Sequence, residues 1–336
     1  MNKFGWYEAK SIEDAVKKVN ATASELFAMR PDGPSIVFKA GGIDLLDLMK
    51  EGLINPSAIV SVKKIPDLDK IEFDENTGLR LGANVTLTDL ENHELIKDKY
   101  LALHQAVAHA GTPQLRNSAT LGGNLAQRTR CWYFRSIDHE CFRKGTRTCF
   151  AQDGENEFHA IMDNKFCASV HASSVATALM AFNAKVKITR AKGANLEVGM
   201  EEFFVHPEQY RVNESILKAG DLITGVVVPV PKPGTKSFYI KYGARESHDW
   251  ALADVAVVTE QSGKKCTAAE VVLGAAAPVP VKSKAAVNEL VGKKIDESVA
   301  LAAGKAAMKG ATPLSGNKYK VPVFETIVKR AILKTV

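Results

Sequence analysis

The chain has 336 residues and a net charge of +6, with 46% hydrophobic and 24% charged residues, ordinary figures for a folded protein of two or three domains. Its lysines and arginines are dispersed, without a basic run interleaved with aromatics, so nucleic-acid binding is not indicated. No apolar run approaches the ~18 residues of a membrane helix, which argues against membrane insertion, and five cysteines are an odd number for a secreted disulfide framework.

Ser11 followed by Ile12, Ala15, Val16 and Val19 predicts a capped amphipathic helix with Glu13 and Asp14 in its first turn, broken by Pro31 to Pro34. Ile36, Val37 and Phe38 read as a short buried strand, residues 39–42 (KAGG) as a tight turn, and Ile43 to Glu51 as a helix stopped by Gly52. Strand, glycine turn, helix is the local geometry that aims backbone N–H groups at a phosphate. A purely structural turn explains a Gly-Gly pair as well.

Strands are expected at Ala58 to Ile65 and Leu79 to Ala83, a capped helix from Thr88 to Ile96, and another from Leu101 to Ala110, closed by Gly111. Residues 112–124 (TPQLRNSATLGGN) lack periodicity and read as a polar loop of the kind that carries function. After residue 170 a helix, Ser173 to Ala184, and a strand, Lys185 to Arg190, resume, as if residues 127–170 were inserted into an older fold. From Leu222 onward strands are expected at Leu222 to Val230, Ser237 to Tyr242, Leu252 to Glu260 and Cys266 to Ala275. The last two form a hairpin through Gln261-Ser262-Gly263-Lys264-Lys265. Helices follow at Lys282 to Val291, Ser298 to Lys309 and Val321 to Lys334, predicting an antiparallel sheet with helices on one face.

The inserted segment holds four of the five cysteines, spaced Cys131-x9-Cys141-x7-Cys149-x17-Cys167. Structural zinc sites usually show Cys-x2-Cys knuckles, which are absent. An iron–sulfur cluster tolerates irregular loop spacing, and Arg128, Arg130, Arg135, Arg143, Lys144 and Arg147 would offset its charge and lower the thiol pKa values. From spacing alone, cluster, zinc, and disulfides or free thiols all stay open. Cys266, in an expected strand, reads as a buried small hydrophobe.

Residues 39–46 (KAGGIDLL) and 119–124 (ATLGGN) resemble the two FAD-binding motifs of the flavin subunits of molybdenum hydroxylases, a family that includes xanthine dehydrogenase, carbon monoxide dehydrogenase and aldehyde oxidoreductases. Residues 274–280 (GAAAPVP) resemble the family's C-terminal domain. Residues 127–135 (QRTRCWYFR), continuing through Cys141 and Cys149 to Cys167, resemble the subgroup with an extra 4Fe–4S cluster: periplasmic aromatic aldehyde oxidoreductase, to which the spacing is closer, and 4-hydroxybenzoyl-CoA reductase.

The resemblance implies an α+β protein: a vanillyl-alcohol-oxidase-type (PCMH-type) FAD-binding fold in two subdomains, residues 1–55 and 56–220, the second interrupted by a cluster-bearing insertion at about 127–170. An α+β domain would occupy residues 221–336. It implies FAD contacts from Phe38, Lys39, Ala40, Gly41, Gly42, Ile43, Asp44 and Leu45, from Thr112, Thr120, Gly122, Gly123 and Asn124, and from Ser174 and Lys241. Cys131, Cys141, Cys149 and Cys167 would ligate the cluster. Two positions depart from the family pattern: Ile43 stands where Thr is usual, and Ser174 where an acid is usual.

The function implied is electron transfer within a heterotrimer. Substrate would be oxidised at a molybdopterin in a large subunit, and electrons would pass through 2Fe–2S clusters of a small subunit to this FAD. An acceptor such as ferredoxin or NAD would take them, with the 4Fe–4S cluster as a side relay. No catalytic acid or base is expected on this chain. A 4-hydroxybenzoyl-CoA reductase-type subunit is the near alternative, and a non-enzymatic metal-binding scaffold that lost FAD the distant one. A self-sufficient flavin oxidase would need a larger substrate domain than the C-terminal part offers. The opening, MNKFGWYEAKSIED, lacks the apolar stretch of a signal peptide, so the chain's own sequence predicts a cytoplasmic location, or a periplasmic one through export with a partner subunit.

Overall fold

A computed structural model of the chain describes residues 1–28, 33–246, 248–263 and 265–336. Among the described residues, twelve strands form three sheets. The first is parallel, with β3 (Ala58–Ser61) between β1 (Gly5–Glu8) and β2 (Ile36–Lys39). Its central strand therefore comes from beyond residue 55. Ser11 caps the helix Ile12–Lys18 by accepting the Asp14 N–H at 3.1 Å, and the helix stops at Lys18. The break expected at Pro31 lies outside the described residues.

The second sheet is antiparallel, in the order β4 (Ile71–Asp74), β5 (Gly78–Gly82), β8 (Leu222–Val228), β6 (Lys185–Thr189), β7 (Leu196–Gly199). The strand at 222–228, expected to open the C-terminal sheet, instead sits in the middle of this one. Its apolar residues fill the gap between β5 and β6, and Gly225 lets β5 approach closely, since a Cβ there would lie 2.7 Å from the Leu81 carbonyl oxygen.

The third sheet is antiparallel in the order β12 (Val281–Lys282), β11 (Lys265–Gly274), β10 (Ala251–Ser262), β9 (Thr235–Gly243). The β10–β11 hairpin is as expected. Successive side chains of a strand point to opposite faces, and β10 is apolar on both. Ala253, Val255 and Val257 pack into one core with the helices Lys284–Leu290, Glu297–Ala307 and Lys320–Leu333. Ala256 and Val258 pack into another with Leu101–Ala108 and Ser174–Ala181. The sheet thus has helices on both faces rather than one, and its second face joins it to the N-terminal part.

Two other local expectations shift. The helix expected from Thr88 to Ile96 is two, Leu87–Asn92 and Glu94–Lys99, because His93 takes an extended ψ of 113°. The loop at 112–124 contains two short helices, Pro113–Arg116 and Leu121–Leu125, capped by Thr112 and Thr120. Each is too brief to leave a periodic signature. No helix among the described residues is long and apolar enough to cross a membrane.

Candidate functional site

The first glycine turn hangs from the parallel sheet. β2 ends at Lys39, and Gly42, at φ +84°, turns the chain into the helix Ile43–Lys50. Side chains are strained at that φ, so the position favours glycine. No side chain caps this helix, and the N–H groups of a first turn have no intrahelical partner. Their partial positive charge suits an anion.

The second turn lies directly beside the first. A Cβ on Gly41 would fall 2.0 Å from the Ser118 carbonyl oxygen, so the two backbones meet there without room for a methyl. Thr120 Oγ1 accepts the Gly123 N–H at 3.3 Å. The Gly122 N–H donates to the Ala83 carbonyl at 2.8 Å, while Gly123 is exposed. Between the turns is a cleft of about 230 Å³.

Phe38, Lys39, Ala40, Gly41, Gly42, Ile43, Asp44 and Leu45 line this cleft from the first motif, and Thr120, Gly123 and Asn124 from the second. Gly122 lies behind it. Thr112, Ser174 and Lys241 lie outside its lining. Thr112 Oγ1 accepts the Leu115 N–H at 3.2 Å, and Lys241 Nζ donates to the His109 carbonyl at 2.9 Å. Ser174 only begins its helix; Ser173 caps it and donates from Oγ to Asn124 Oδ1. Burial, then the neighbouring Lys63, holds the Lys39 amine below its usual pKa, and Nζ donates to the Ala40 carbonyl at 3.2 Å.

The cleft also takes Arg130 from the cysteine segment and Asn213, Glu214, Lys218 and Asp221 from the chain before β8. Sequence reasoning missed the last four. Their one local signal is Gly220, at φ +79°, where a Cβ would fall 3.1 Å from the Val19 carbonyl oxygen.

Cys131, Cys141, Cys149 and Cys167, all free thiols, line one void of about 10 Å³. The Cys131 Sγ is 3.2 Å from His159 Nε2, Cys149 Sγ accepts the Ala168 N–H at 3.5 Å, and Cys167 Sγ donates to Ser169 Oγ at 3.3 Å. Burial pushes the Cys131 thiol up to about 12 and the His159 imidazole down to about 4, so that ring is neutral. The neighbouring Cys149 thiol and the Arg143 guanidinium draw the buried Cys167 thiol below its usual pKa, while Cys167 raises that of Cys149. Among the described residues, no three His, Cys, Asp or Glu side chains are grouped to hold a metal ion. Cys266 is buried in the C-terminal core, as expected.

The basic residues around these thiols are mostly engaged elsewhere. Arg128 pairs with Glu214 at 2.6 Å, Arg130 and Arg135 pair with Asp44 at 2.8 and 2.6 Å, and Arg143 donates to the Asn213 carbonyl at 2.7 Å. Only at Cys167 does a thiol pKa fall. The segment is also well anchored: Asn317 donates to the His159 carbonyl at 3.1 Å, and the buried Lys320 Nζ to the carbonyls of His159 and Ala275 at 2.9 and 2.8 Å. Its second half therefore owes its order to the C-terminal domain.

The model of the FAD binding domain in molybdopterin dehydrogenase matches residues 2–231, and that of the CO dehydrogenase flavoprotein C-terminal domain matches residues 238–335. The chain belongs to the FAD-binding medium subunits of the molybdenum hydroxylases. Among curated relatives, the aldehyde oxidoreductase FAD-binding subunit PaoB of Escherichia coli (strain K12) is 35% identical over 277 residues, 82% of this chain and 85% of that one. The carbon monoxide dehydrogenase medium chain of Afipia carboxidovorans is 25% identical over 98% of this chain and 95% of its own. Among solved structures, a carbon monoxide dehydrogenase from Hydrogenophaga pseudoflava superposes with a TM-score of 0.74 at 22% identity, covering 99% of this chain and 97% of that one.

The flavin subunit's cleft suits a diphosphate-bearing cofactor on its own evidence. An uncapped eight-residue helix opens onto it behind a glycine at positive φ, and a second, exposed glycine faces it without a side chain. The cysteine segment brings four free thiols, a soft donor set, to one small void.

Proposed function

We propose that this flavin subunit is the electron-transfer subunit of a heterotrimeric molybdenum hydroxylase, with FAD in the cleft and a 4Fe–4S cluster on Cys131, Cys141, Cys149 and Cys167. The observation that carries the reading is the side-by-side packing of the two glycine turns around the cleft, fixed by Gly41 against Ser118. The backbone N–H groups of Gly42 and Ile43 bind the diphosphate, Gly123 lets it approach the second turn without a side chain in the way, and Lys39 offers a cation beside them. Thr120 fixes the second turn, and Asn124, held by Ser173, fixes the segment that follows it. The helix begun by Ser174 reaches the flavin through that link, and Lys241 holds the C-terminal sheet to the Leu101–Ala108 helix end.

When bound, FAD supplies both one- and two-electron redox chemistry, so its subunit connects single-electron carriers to a two-electron acceptor. The protein's own task is to bind and orient it and keep water from its diphosphate end. The partners are a large molybdopterin subunit and a small 2Fe–2S subunit; the words "subunit" and "medium chain" in the relatives' names support an assembly of this kind. Substrate, acceptor and compartment follow from those partners.

A second reading of the cysteines has specific support: their void of about 10 Å³ and the absence of a metal-ligating group among the described residues fit four packed thiols. Purification under anaerobic conditions separates the two. About four irons and one FAD per chain, with flavin bands over a broad iron–sulfur shoulder, support the proposal. Flavin without iron leaves the thiols; iron without flavin removes the cleft assignment.

A further inference from the structure

The inserted cysteine segment grips the helix that opens onto the cleft. Asp44, in the first turn of Ile43–Lys50, accepts the Arg128 N–H at 2.9 Å and pairs with Arg130 at 2.8 Å and with Arg135 at 2.6 Å. Its side chain is 14% exposed, and that of Arg135 is 10%. Arg135 ends the short helix that Cys131 begins, and its Nε donates to the Thr129 carbonyl at 3.0 Å, which aims the guanidinium back at Asp44. Arg135 itself does not line the cleft. Phe134 and Cys141 also share a small core with Leu48 and Met49 of the gripped helix.

An acid in the first turn of a helix ordinarily complements the macrodipole. Here the same helix end faces a site suited to an anion, where an unbalanced carboxylate would repel the ligand. A little-exposed carboxylate is also costly unless paired. Two guanidiniums from one neighbouring segment satisfy both demands.

We propose that Arg135 is a positioning residue for the flavin: by neutralising Asp44 it makes the FAD affinity of the cleft depend on the folded cysteine segment. This rests on the cleft being the flavin diphosphate site but not on the nature of any metal at the cysteines. Asp44, by the same argument, is an acid to be silenced rather than a flavin ligand.

The test is FAD titration of flavin-depleted full-length protein, followed by flavin fluorescence, for the wild type, Arg135→Gln, Asp44→Asn and the double variant. Arg135→Gln weakens binding about tenfold, a mid-range coupling between sites, and adding Asp44→Asn restores it, because removing the carboxylate removes the repulsion. Asp44→Asn alone binds at least as tightly as the wild type. A purely structural role for Arg135 is not rescued by Asp44→Asn. Wild-type affinity in Arg135→Gln, an unrescued double variant, or weakened binding in Asp44→Asn each overturns the proposal. If Arg135→Gln does not fold, the Asp44→Asn comparison still decides. A wild type that binds no FAD refutes the cleft assignment instead.

Discussion

Substituting one glycine of each turn, Gly41 and Gly123, separates what holds the turns together from what leaves room for the cofactor. In Gly41→Ala the new Cβ would fall 2.0 Å from the Ser118 carbonyl oxygen and 3.0 Å from its carbon, against the ~3.5 Å that nonbonded atoms prefer. The obstacle is backbone, so the turns must part by about 1.5 Å, and overpacking of this kind costs about 1–3 kcal/mol. In Gly123→Ala the nearest atom is Thr120 Oγ1 at 3.0 Å, and the residue is exposed. The flavin-free protein should then keep its stability within about 0.5 kcal/mol, while the methyl enters the cleft. Thermal unfolding of the flavin-free proteins and FAD per chain after purification read the two effects. Gly41→Ala should lose both stability and flavin; Gly123→Ala should lose flavin alone. A Gly41→Ala protein with wild-type unfolding temperature and full flavin would refute the side-by-side packing as the basis of the site.

Three other outcomes follow from the same geometry. Replacing Cys131, Cys141, Cys149 or Cys167 by Ser should each remove the iron measured in the wild type, whereas Cys266→Ser should remove none, because its thiol sits in a different core and donates to the Ala268 carbonyl at 3.3 Å. In those cluster variants, limited proteolysis should cut within residues 136–154 and spare residues 156–164, which Thr312, Ser315, Gly316, Asn317 and Lys320 tie to the C-terminal domain through Asn156, His159, Ala160 and Asn164; cuts in the second stretch would refute that anchoring. Burial raises the Asp254 carboxyl to about 7 from an unperturbed 3.8, so the folded state binds the extra proton between those values and wild-type stability falls as pH rises through that window. Asp254→Asn lacks this loss, so its unfolding temperature relative to the wild type should climb from pH 4 to pH 7 and level off above; a difference independent of pH would contradict the buried ionisation.

What the sequence determined by itself was whatever is enforced within a few residues. The Ser11 cap, the Gly42 turn and the β10–β11 hairpin were legible because capping and positive φ are local demands on residue type. The glycine motifs were legible as a site because backbone approach leaves a glycine signature. The four cysteines were legible as one ligand set from their grouping in the sequence, and they do line one void.

Tertiary structure decided the rest. Nothing local distinguishes Leu222–Val228 from the strands after it; only the gap between β5 and β6 assigns it there. Residues 213–221 carry no motif, and only chain crossing brings them to the cleft. Asp44 lines the cleft beside the glycines, and its pairing with arginines more than eighty residues away in sequence had no local signal. Charge pairing, sheet order and core sharing are long-range interactions whose partners are set by packing, which is why local residue patterns could not show them.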